Sequence, residues 1–124
     1  MDIKNYKEYM TAEMLMGPNS ARILEELLKQ YPVQLSDKNQ VLDLGCGKGL
    51  TSLILARETG AKVYANELWV SAEDNKKRFE DWGIGKQITP VCEDANNLSF
   101  AKKQIDILVS IDSYHYFATD ISFF

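Results

Sequence analysis

Asp43-Leu44-Gly45-Cys46-Gly47-Lys48-Gly49 places three alternate glycines directly behind the apolar Val41-Leu42 and ahead of a helix-forming stretch. The early glycines let backbone approach a ligand where a Cβ would clash, and let φ become positive at little cost. A helix opening there aims its unpaired N–H groups at the same place. The turn suits a nucleotide-like ligand. Carboxylates recur where later strands should end: Glu67, then Asp94 in Glu93-Asp94-Ala95, then Asp112. The single histidine, His115, lies among aromatics in Ser113-Tyr114-His115-Tyr116-Phe117, and its ordinary pKa near neutrality suits a proton acceptor. Each has a plainer reading beside it. Glu67 could cap a helix starting at Trp69, Asp94 could be a loop acid, Asp112 a turn former, Cys46 a small packing residue and His115 a structural donor.

The ligand is narrowed by order and spacing. A phosphate loop of the Walker kind ends Gly-Lys-Ser/Thr, whereas Gly47-Lys48-Gly49-Leu50-Thr51 runs differently. A dinucleotide fingerprint needs G-x-G-x-x-G, and here Gly49 comes one position early.

The run from Asp43 to Gly49 instead resembles the class I S-adenosylmethionine-dependent methyltransferases, over residues 40–116. That resemblance implies that Asp43, Gly45, Cys46 and Gly47 lie under the methionine and ribose parts of the cofactor. It implies that Glu67 takes both ribose hydroxyls, a task for which a carboxylate accepts two charge-assisted hydrogen bonds from a diol. Leu68 is then expected on the adenine face, Asp94 on the exocyclic amine and Ala95 N–H on a ring nitrogen. Ser110 and Asp112 match the segment beneath the sulfonium. Methyl transfer is an in-line displacement that needs alignment and exclusion of water; a base such as His115 is optional. Ile111-Asp112-Ser113-Tyr114 lacks the paired prolines of members that methylate nucleobase amines. A small-molecule acceptor is expected, with a protein acceptor as the alternative. Met14-Leu15-Met16-Gly17-Pro18-Asn19 is read as a lid across the cofactor, or as a surface helix contact.

These residues need elements to hold them. Ile3, Tyr6, Met10 and Met14 have helical spacing and form an N-terminal leader outside the core. Asn19 or Ser20 caps a helix whose apolar stripe is Ile23, Leu24, Leu27, Leu28 and Tyr31, ended by Pro32. Strands follow at 40–44, 61–66, 88–92 and 105–111, and helices run from Leu50 to Gly60 and from Trp69 to Trp82-Gly83. Trp69, Phe79 and Trp82 are expected to face the sheet. This alternation predicts an α/β Rossmann-like parallel sheet with helices on both faces. It forms one domain, with a helical leader over 1–35 and a cofactor-binding core over 40–124. Family members add three strands in the order 3-2-1-4-5-7-6, so a truncated cofactor-binding part is expected. In it the apolar fourth strand is an edge open to self-association. The alternatives are a non-catalytic S-adenosylmethionine-binding or oligomerising module and an NAD-linked oxidoreductase.

Composition supports a packed domain. The 124 residues are 45% hydrophobic and 26% charged, with a net charge of −4. Scattered basic residues leave no footprint for nucleic acid or an anionic membrane. No apolar run approaches the roughly 20 residues that span a bilayer, and the N-terminus lacks a signal peptide's apolar core. A cytoplasmic location is expected, with Cys46 and Cys92 as reduced thiols and no metal set.

Overall fold

The structure, a computed structural model, describes residues 1–11, 19–31, 34–93 and 105–111. Four strands, β1 (Gln40–Leu44), β2 (Lys62–Asn66), β3 (Ile88–Val91) and β4 (Ile107–Val109), form one parallel sheet in the order β3-β2-β1-β4. Three α-helices, α1 (Ser20–Gln30), α2 (Leu50–Thr59) and α3 (Ala72–Asp81), precede or connect the first three strands. Val41, Leu42, Asp43 and Leu44 are all buried, so β1 is covered on both faces. The register pairs Leu44 with Asn66, Asn66 with Val91 and Asp43 with Val109. All four strands therefore end along one edge of the sheet. The order reverses beside β1, which puts a crevice beyond its carboxyl end.

α2 is buried along Leu50 to Ala56 without a break. A helix buried on every side must be enclosed, and α1, the N-terminal segment and β2 supply the cover, while Thr51 and Ser52 are buried against Asp43. Gly60, at φ +76°, closes α2 by donating its N–H to Ala56 O. Gln87 Nε2 donates to both Ala56 O (2.7 Å) and Ala61 O (3.0 Å), tying that turn to the start of β3. At the same end of the sheet Asp106 Oδ2 accepts from Gln40 N at 2.8 Å and registers β4 on β1.

Several elements differ from their expected form. Residues Ile3–Tyr9 form a 3₁₀ helix and contribute to the core: Tyr6 is buried, and its hydroxyl donates to Glu58. Burial and the Glu58 carboxylate push the Tyr6 phenol well above its usual range. The stripe on α1 is only partly covered; Ala21 and Leu24 are buried, whereas Ile23, Leu27 and Tyr31 are exposed. α3 begins at Ala72 because Ser71 Oγ accepts Asp74 N at 3.0 Å and caps it there. Trp69 thus precedes the helix and is 70% exposed, while Phe79 is in the core and Trp82 packs against it. β4 spans three residues and lies at the edge among the described strands, with Leu108 53% exposed. Among the described residues no helix is long and apolar enough to cross a membrane.

Candidate functional site

The turn after β1 is built from three glycines in the left-handed region: Gly45 at φ +75°, Gly47 at +60° and Gly49 at +93°. L side chains rarely adopt this conformation. Gly45 N and Cys46 N both donate to Asn66 O, at 2.8 and 3.1 Å, which moors the turn to the end of β2. Gly49 N closes it on Cys46 O at 3.0 Å, and Gly49 is also the N-terminal cap of α2.

Glu67 follows β2 directly and reaches over this turn. Its Oε1 accepts Gly47 N at 2.8 Å and its Oε2 accepts Trp69 N at 3.0 Å. The residue is only 8% exposed. Each carboxylate oxygen retains a second lone pair. Both carboxylate oxygens are therefore fixed by backbone N–H groups at the crevice, each with an acceptor site left over.

Asp43 is wholly buried, and its Oδ2 accepts both Thr51 Oγ1 (2.6 Å) and Ser52 Oγ (2.7 Å). It thereby binds β1 to the first turn of α2 beneath the glycines. Oδ1 has no partner. Burial raises the Asp43 carboxyl to about 6, opposed by the two hydroxyls and assisted by the Glu67 charge. Cys46 is buried beside these carboxylates, and burial first, then Asp43 and Glu67, push its thiol up. It is a packing residue in this setting, since a nucleophilic thiol needs its pKa lowered.

Other site residues fall at the same edge. Leu68 is about half exposed beside Glu67, and Ser110, partly buried, follows β4. Asn66 Oδ1 accepts Glu93 N while its Nδ2 donates to Glu93 O, both at 3.0 Å, pinning the chain where it leaves β3. Asp94, Ala95, Asp112 and His115 lie outside the described residues, as does the 14–18 part of the expected lid. Among the described residues no cluster of three metal-ligating side chains occurs.

Sequence reasoning missed the support that comes from α3. Asn75 is buried, and its Nδ2 donates to Gly47 O at 3.0 Å. Arg78 Nη1 donates to Lys48 O at 3.3 Å and to Asn75 Oδ1. Within Ala-Glu-Asp-Asn-Lys-Lys-Arg-Phe, Asn75 reads as one more solvated residue. Its spacing of four from Phe79, which puts both on one helix face, was the available signal.

Comparison with known proteins bears on the family and the fold. Methyltransferase GfsG of Streptomyces halstedii is 33% identical over 93 residues, covering 74% of this chain and 33% of that protein. This chain thus spans about a third of that relative. Among solved structures, a putative S-adenosyl-L-methionine-dependent methyltransferase from Methanococcus maripaludis superposes with TM-score 0.69 at 22% identity, covering 91% of this chain and 50% of the other. Geranyl diphosphate C-methyltransferase from Streptomyces coelicolor, solved with Mg2+, geranyl diphosphate and S-adenosyl-L-homocysteine, gives 0.63 at 19% identity, covering 72% and 34%. The family model described as a methyltransferase domain matches residues 41–123, and the chain belongs to that family, among the class I S-adenosylmethionine-dependent methyltransferases.

Proposed function

We propose that the chain binds S-adenosylmethionine in the crevice over Gly45–Gly49 and serves methyl transfer to a small-molecule acceptor. One observation carries the reading: both oxygens of Glu67 are fixed by backbone N–H groups above a turn of three left-handed glycines. The ribose diol then meets two oriented acceptors, while the glycines leave backbone where a Cβ would intrude. Glu67 with Asp43 behind it repels a pyrophosphate, which favours a nucleoside lacking phosphate over a dinucleotide. When bound, the cofactor supplies an electrophilic methyl on sulfur.

In this reading Gly45, Cys46 and Gly47 contact the cofactor through backbone, with Asp43 anchoring them from below. Leu68 covers the adenine, and Asp94 and Ala95, which follow the Glu93 held by Asn66, take its edge. Ser110 and Asp112 bound the methyl side, and His115 takes the acceptor's proton. The acidic net charge and the absence of a basic cluster support a small molecule rather than nucleic acid. Cys46 and Cys92 are unpaired, which fits a reducing cytoplasm. The exposed Leu108 on β4 supports pairing of that edge with a second copy; a stable monomer in sedimentation at high concentration would reject it.

A second reading is cofactor binding without turnover: the described groups of the crevice, the Glu67 carboxylate and the glycine turn, fit the nucleoside and serve a binder as well as an enzyme. Calorimetric titration with S-adenosylmethionine, S-adenosylhomocysteine and NAD tests binding, with the first two expected to bind and NAD not. Transfer of labelled methyl into a metabolite extract separates enzyme from binder. A folded chain with no affinity for either sulfur nucleoside would sink both readings.

A further inference from the structure

The Gly47 residue is held at both ends by different elements. Its N–H goes to Glu67 Oε1 at 2.8 Å, and its C=O accepts Asn75 Nδ2 at 3.0 Å. Gly47 sits at φ +60°. A glycine has several backbone conformations of similar energy, so its own torsions do not determine where that N–H points. An external clamp does. Asn75 is 99% removed from solvent, and Arg78 Nη1 donates to its Oδ1, which dictates that the amide's NH2 end faces Gly47. Arg78 holds the next carbonyl, Lys48 O, as well.

Burying an amide costs free energy unless it is hydrogen-bonded, and a branched apolar side chain would fill the same space between α3 and the turn without that cost. The amide is therefore better explained by what it orients than by packing alone. We propose that Asn75 is a positioning residue for the diol-binding carboxylate, acting through the backbone torsions of Gly47; this rests on the reading of the site as a nucleoside crevice. Arg78 orients Asn75, Asn75 holds Gly47, and Gly47 fixes Glu67 Oε1. Releasing the carbonyl frees the φ and ψ of Gly47 that link its two flanking peptides, so the N–H of the Cys46–Gly47 peptide shifts, Glu67 swings, and the two acceptors no longer match a vicinal diol. The adenine end of the ligand does not depend on this chain of contacts.

The test compares S-adenosylhomocysteine with its 2′,3′-dideoxy analogue by calorimetry, on the intact chain and on Asn75→Leu, which keeps a branched shape and removes both polar ends. The intact chain should prefer the diol by at least about tenfold, as two hydrogen bonds to a charged acceptor allow. Asn75→Leu should lose most of that preference, weakening the diol compound far more than the dideoxy analogue. In a Glu67→Ala background, Asn75→Leu should have no further effect on the preference. If Asn75→Leu does not fold, Arg78→Met, at a half-buried position, supplies the same readout. A preference that survives in whichever variant folds, with both ligands weakened equally, overturns the positioning role and leaves the nucleoside reading intact. An intact chain that binds neither compound overturns both.

Discussion

Gly49 lies directly under the ring of Phe79: a Cβ on Gly49 would stand 2.3 Å from Cε1 and 2.5 Å from Cζ of that ring. The third glycine of the turn therefore serves packing between α2's start and α3, whereas Gly47 meets the carboxylate. Phe79 is wholly buried and central to the core, so it cannot step aside freely.

Gly49→Ala should destabilise the fold by roughly 2–5 kcal/mol, the sum of left-handed strain and overpacking. Shortening the ring with Phe79→Leu should recover part of this in the double variant, because the clash goes and the φ of +93° remains. Urea denaturation of the four proteins measures the coupling. Strict additivity would show that the two residues do not press on each other.

The parallel sheet and the glycine turn were legible in the sequence because β-α-β alternation and three closely spaced glycines are local signals, whereas the strand order β3-β2-β1-β4 was implied only by the family resemblance. Glu67 was legible for the same reason, standing one residue past an apolar strand. What escaped depended on competition between neighbours. Trp69 has the spacing of a helix face with Phe79, yet Ser71 caps at Asp74 and Glu67 takes the Trp69 N–H, so the helix starts later and the indole is left outside. Tyr6 looked peripheral because its partner, Glu58, lies 52 residues away. Asn75 was hidden for a similar reason; its significance comes from Gly47, which contacts it only through the tertiary fold.

Glu67→Ala should weaken S-adenosylmethionine and S-adenosylhomocysteine binding by at least about tenfold, since both diol acceptors disappear together. It should also lower stability by about 1–3 kcal/mol, because Gly47 N–H and Trp69 N–H lose their acceptor. Calorimetry and thermal unfolding read the two effects separately. Unchanged affinity in a folded variant contradicts the assigned role.

The two thiols should react unequally. Cys92 is exposed, whereas Cys46 is buried with its thiol pushed up by burial and by the charges of Asp43 and Glu67. Alkylation under native conditions followed by peptide mass mapping should label Cys92 alone, and Cys46 only in denaturant. Rapid native labelling of Cys46 would mean that the glycine turn opens readily.

Asp43 gives the fold a pH dependence of definite sign. Its carboxyl is raised from 3.8 to about 6 because burial disfavours the charge more than the Thr51 and Ser52 hydroxyls favour it. Between those values the folded state retains a proton that the unfolded chain has lost. The group's contribution therefore falls as pH rises through that window and is flat above it, a change of roughly 3 kcal/mol. Other carboxylates titrate over the same range, so the difference between the wild type and Asp43→Asn isolates this group. Asparagine keeps an acceptor for the two hydroxyls and carries no charge. Relative to the wild type, Asp43→Asn should gain stability steadily from pH 4 to pH 6.5, then hold a constant offset up to pH 8. Denaturation midpoints across that series decide the matter: parallel curves for the two proteins would show that Asp43 titrates alike folded and unfolded, and that its burial costs the fold nothing.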